Sequence, residues 1–119
     1  MKLFFKIFGI VFAALFVYAA IVQYNDPDAL KWYVYYGVAA VVSILFAVDK
    51  LKLSWVLLLF LFYGFMAYKT WPVKFEGVAI GEGDIVNIER GREALGLGIV
   101  VLAMLIYIAR LLVARKSKI

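Results

Sequence analysis

The sequence predicts an all-α integral membrane protein, a four-helix bundle with both termini on the cytoplasmic side. Three observations predict it. Of 119 residues, 67% are hydrophobic, whereas a soluble domain is about half apolar. The apolar residues gather into four long runs that carry almost no charge. The charges between the runs are distributed unequally when the ends of those runs are sorted alternately to two sides. A chain this small cannot hide so much apolar surface in its own core, so the bilayer must cover it.

The runs predict helices over about 3–23, 27–48, 52–69 and 92–114, all within a single transmembrane domain, 1–119. A helix needs about 20 residues to cross about 30 Å of hydrocarbon. The third run is short, and Lys52 and Lys69 are expected to snorkel at its ends. The runs are continuous rather than alternating, which disfavours barrel strands. The start of the chain resembles a secretory signal, with Lys2, Lys6, an apolar stretch and Tyr18-Ala19-Ala20. Its apolar stretch is long for that role, so it is read as the first membrane helix. Gly9, Gly37, Gly64, Gly96 and Gly98 lie inside the runs and are expected at close helix contacts. Tyr18, Ser43, Tyr63 and Tyr107 are the polar side chains deep in the runs and read as packing hydrogen bonds.

The extracytoplasmic loop is expected over about 70–91. Within it, Val73-Lys74-Phe75-Glu76 alternates and Gly81-Glu82-Gly83-Asp84 has turn composition. A hairpin and an interfacial flap both fit.

The side holding both termini and the second loop carries eight cations against one acid, Asp49; the other side carries five cations against seven acids. The positive-inside rule then puts both termini in the cytoplasm. The expected location is a bacterial cytoplasmic (inner) membrane, crossed several times. Tyr24, Trp32, Tyr33, Tyr68 and Trp71 are expected in an aromatic belt at the outer boundary, with Trp55 at the inner one.

The chain has no cysteine and no histidine. Disulfides, thiolate chemistry and the usual zinc sites are excluded, and so is haem held by those residues. The net charge of +5 follows topology rather than a nucleic-acid patch, so no nucleic-acid partner is expected.

Two charged motifs are not explained by the need to sit in lipid. The first is Asn25-Asp26-Pro27-Asp28. Its bland reading is the start of helix two, with Asp26 as N-cap, Pro27 in the first helical position and Asp28 in the first turn. Yet Asp28, Trp32 and Tyr36 are spaced i, i+4, i+8 and share one helix face. The second motif is Glu89-Arg90-Gly91-Arg92-Glu93. Its bland reading is an interfacial capping cluster, with Gly91 capping helix four and Glu93 in the first turn. If the helix starts one turn earlier, Glu89, Arg92, Glu93 and Gly96 share one side. On the functional reading the two motifs meet, with Arg92 forking onto an aspartate and a glutamate left available.

The candidate polar cluster is therefore Asn25, Asp26, Asp28, Trp32, Tyr36, Glu89, Arg92 and Glu93. Its oxygens suit a hard divalent cation, although no EF-hand order is present. No cofactor is expected otherwise. No nucleophile or phosphate loop accompanies the carboxylates, and no charge lies at mid-membrane to carry ions.

Val22-Gln23, then Asn25-Asp26-Pro27-Asp28 with Trp32 and Tyr36, form one block. Glu89, then Gly91-Arg92-Glu93 and Gly96-Leu97, form a second. In these blocks, at the starts of helices two and four, the chain resembles the transmembrane protein 220 family. The resemblance implies a small polytopic membrane protein and carries no established activity with it.

The expected function is non-enzymatic: an outer-face cluster that binds a ligand, a cation or a partner, in an accessory subunit of a larger complex. Expected partners are membrane lipids and a partner membrane protein or further copies of the chain. An enzyme acting on a lipid or isoprenoid head group through the carboxylates is the first alternative. A transporter or channel subunit is the second.

Overall fold

The computed structural model describes residues 2–24, 27–72, 74–75 and 83–117. It contains α1 (Leu3–Ile21), α2 (Ala29–Ala47), α3 (Leu53–Thr70) and α4 (Ile85–Ser117), and among the described residues no strand. All four are long and apolar enough to cross a membrane. The all-α class expected of the sequence is what the structure has. The chain divides into two compact units, Met1–Lys52 and Leu53–Ile119.

The first unit is an antiparallel pair, α1 against α2. Gly9, Ala13 and Phe16 are the buried residues of α1. Their 4,3 spacing draws one seam along the helix. At one end of the seam a side chain on Gly9 would stand 2.9 Å from the Ser43 carbonyl oxygen and 3.0 Å from the Ala47 Cβ. Only hydrogen fits there. At the other end the Phe16 and Tyr36 rings stack with centroids 6.5 Å apart. Inside α2 the buried Ser43 hydroxyl donates to the Ala39 carbonyl oxygen at 2.9 Å. This bond turns a hydroxyl back onto its own helix, as hydroxyls in apolar surroundings do.

The opposite face of α1 presents Leu3, Phe4, Ile7, Ile10 and Leu15, all exposed. In a membrane this is the face that lipid covers. Gln23 closes the helix: its side-chain amide donates to the Ala19 carbonyl oxygen at 3.1 Å, satisfying one of the open carbonyls of the last turn.

α2 ends in a Schellman motif. The Lys50 amide donates to the Leu45 carbonyl oxygen at 2.8 Å and the Asp49 amide to that of Phe46 at 3.2 Å. Asp49 holds the left-handed position with φ 62°, where glycine is the usual occupant.

The second unit pairs α3 with α4. Ile88, Gly91, Ala94, Leu97, Val100, Ala103, Met104 and Tyr107 are buried along α4, and their spacing of three and four marks one face. At 33 residues, α4 is about 50 Å long, well beyond the thickness of the hydrocarbon.

The structure corrects several sequence expectations. Of the glycines foreseen at contacts, Gly9 is one, whereas Gly37, Gly64 and Gly98 would find nothing within 4 Å of an added Cβ. Tyr18 is exposed rather than packed, and Trp32 is 1% exposed rather than part of a belt. Tyr24, Tyr33, Tyr68, Trp71 and Trp55 are exposed, as belt residues are. Of the loop expected over 70–91, residues 73 and 76–82 lie outside the described residues, and 85–91 belong to α4.

Candidate functional site

The first motif opens α2. Asn25 and Asp26 lie outside the described residues. The helix begins at Ala29 with Asp28 as the N-cap, two residues later than the expected cap at Asp26. Asp28 makes no side-chain capping bond; its backbone carbonyl accepts from the Trp32 amide at 3.3 Å. Pro27 and Asp28 are exposed, and one turn further in the chain is suddenly buried.

Trp32 and Tyr36 provide that burial. Their rings lie 6.0 Å apart at 30°, and Tyr35 meets the indole edge-on at 5.4 Å. The i, i+4 spacing read from the sequence therefore does place Trp32 and Tyr36 together. The Lys31 ammonium stands 5.0 Å from the centre of the indole and 5.9 Å from that of Tyr35, within the range of a cation–π contact. Among the described residues, the buried indole Nε1 has no hydrogen-bond partner. A buried donor left unmade costs about 1–3 kcal/mol.

The second motif does not open α4. The helix begins at Ile85, seven residues before the expected 92. Asp84 starts it: a carboxylate oxygen accepts from the Val86 amide at 2.9 Å, and its carbonyl accepts from the Ile88 amide at 3.0 Å. Glu89 to Glu93 are thus interior helix, and Gly91 is buried within the helix rather than capping it. The conditional reading of an early start holds: Glu89, Arg92, Glu93 and Gly96 fall at i, i+3, i+4 and i+7. Glu89 and Arg92 are exposed, Glu93 and Gly96 half-buried.

Arg90, which the candidate cluster omitted, has a defined task. Its Nη2 donates to the Lys69 carbonyl oxygen at 3.0 Å and its Nε to the Thr70 carbonyl oxygen at 3.3 Å. A cation thereby closes the negative end of α3. The bond also sets the register of the unit. Ile85–Glu89 extend about 7.5 Å past the end of α3, and Glu93 lies about 4.5 Å below Arg90.

Asp28 belongs to the first unit and Arg92 to the second. Among the described residues, no three acidic side chains converge as a metal site would require.

Four helices long and apolar enough to cross a membrane define a small multi-pass integral membrane protein. A family model described as "Transmembrane family 220, helix" matches residues 15–109. The chain belongs to that family, as its two sequence blocks led one to expect. No solved structure matches the chain.

Proposed function

We propose that the protein is a non-enzymatic membrane protein whose polar helix starts bind a small ligand, a cation or a partner membrane protein, as an accessory subunit does. The single observation that carries this reading is the Trp32 indole. It is a hydrogen-bond donor, fully buried one turn inside α2, with no acceptor among the described residues. Donors are rarely left in this state unless something outside the fold completes them. Asp28 at the N-cap and Lys31 over the ring supply charges of both signs beside it. The Glu89, Arg92 and Glu93 side of α4 is the second polar surface in this reading.

The test removes the donor and keeps the shape. The chain carrying 3-benzothienylalanine at position 32 replaces the indole N–H with sulfur. The expected result is unchanged or slightly raised thermal stability, with loss of whatever small molecule or protein co-purifies with the natural chain. Retention of every co-purifying component would overturn the reading.

The charge asymmetry supports an orientation with both termini in the cytoplasm, and a bacterial cytoplasmic membrane is the proposed host. Alkaline phosphatase fusions at each terminus test the orientation. Activity at either end contradicts it.

A further inference from the structure

In the first unit, the seam of α1 does not stop at Gly9. Counting back from Phe16, Ala13 and Gly9 by the same steps of three and four reaches Lys6 and then Lys2. These two lysines therefore lie on the continuation of the face that packs against α2. The helices are antiparallel and in closest contact at Gly9, where the Ala47 Cβ would stand 3.0 Å from an added methyl. Phe5 meets Phe46 edge-on with centroids 6.3 Å apart. Beyond this point α2 ends and turns through Asp49 into Lys50 and Lys52. Lys6 is three residues past Gly9 on α1, about 4.5 Å beyond the contact, and Lys50 lies in the turn that follows Ala47 at the same end of the pair.

The fold thus gathers two pairs of lysines that are more than forty residues apart in the chain. Lys2, Lys6, Lys50 and Lys52 are all exposed. The acid closest in sequence is Asp49; the chain has no other between Met1 and Tyr24 or between Ala29 and Phe75. Four ammonium groups against one carboxylate repel one another, and anions from outside relieve that repulsion. At the same end of α1, Leu3, Phe4 and Ile7 on its other face are exposed apolar side chains suited to acyl chains.

We infer that Lys2, Lys6, Lys50 and Lys52 form a docking surface for the phosphates of anionic phospholipids. The surface selects lipids of net negative charge over zwitterionic ones, because juxtamembrane lysines attract anionic head groups electrostatically. This does not depend on what the opposite end of the molecule binds.

The full chain is reconstituted in nanodiscs of equal dioleoyl phosphatidylglycerol and dioleoyl phosphatidylcholine, extracted mildly, and its retained lipids are measured by native mass spectrometry. The expected result is retention of phosphatidylglycerol several-fold above phosphatidylcholine, falling as salt is raised. In the variant Lys2→Gln/Lys6→Gln/Lys50→Gln/Lys52→Gln the preference is lost. In a variant at lysines outside this cluster, Lys69→Gln/Lys74→Gln, it is kept. The salt series on the natural chain stands even where the fourfold variant folds poorly. Equal retention of the two lipids by the natural chain overturns the inference. So does a preference insensitive to salt, or one that both variants lose alike. Added inorganic phosphate that abolishes the preference at constant ionic strength shows a site for free phosphate instead, and likewise overturns it.

Discussion

Arg90 donates through Nη2 to the carbonyl oxygen of Lys69 at 3.0 Å, so that one side chain of α4 closes the end of α3. A helix leaves its last four carbonyls without internal partners. At a membrane boundary such carbonyls must find water, lipid or a donor. The guanidinium serves this end at two consecutive residues, since Thr70 accepts as well.

Arg90→Ala is therefore expected to destabilise the second unit by about 1–2 kcal/mol. Arg90→Lys is expected to recover part of that, because a lysine keeps the charge but not the planar fork. Thermal unfolding in detergent, followed by far-UV circular dichroism, checks both. A wild-type midpoint for Arg90→Ala would mean that water replaces the guanidinium at no cost.

Gly9 and Gly64 are expected to respond in opposite directions to the same substitution. Gly9→Ala forces a methyl to 2.9 Å from the Ser43 oxygen and should cost about 1–3 kcal/mol through displacement of α1 from α2. Gly64→Ala meets open space and should stabilise by about 0.5–1 kcal/mol, since glycine is a poor helix former. Comparing the two midpoints within one series separates packing from propensity.

Asp49→Gly should raise stability by up to about 1 kcal/mol, because an L-residue in the left-handed region bears a steric cost that glycine does not. A lower midpoint would show that the Asp49 carboxylate contributes more than its backbone strain costs.

Ser43→Ala should change stability by less than about 0.5 kcal/mol. The hydroxyl leaves together with its bond, and the Ala39 carbonyl keeps its place in the helix ladder. A large loss would reveal a further role for the hydroxyl.

The class of fold was legible because four apolar runs have few ways to satisfy their backbone in lipid. The faces of those helices were less so. Trp32 and Tyr36 were readable as neighbours from their spacing, but not as buried, because a tryptophan near a boundary fits a belt as well as a core. The glycines were indistinguishable in sequence; only the approach of Ser43 and Ala47 singles out Gly9.

The start of α4 was misplaced for a definite reason. A dense run of charge from Glu89 to Glu93 reads as loop, whereas here it is carried on a helix that begins outside the apolar run. The signal was present in Asp84 preceding Ile85-Val86 and Ile88, an N-cap followed by apolar residues at helical spacing. The task of Arg90 was not legible because a cap supplied by another helix depends on a neighbour rather than on local pattern. Asp28 was legible as part of the start of α2, whereas Glu89, Arg92 and Glu93 lie inside α4 rather than at its start.

The left-handed turn at Asp49 has a consequence for synthesis. It ends α2 abruptly and leaves only Lys50, Leu51 and Lys52 before α3. Each side of this junction contains its own packed helix pair. The packing of α1 against α2 can therefore form before α3 and α4 have left the ribosome. Biogenesis can proceed as two successive hairpin insertions, divided after Lys52.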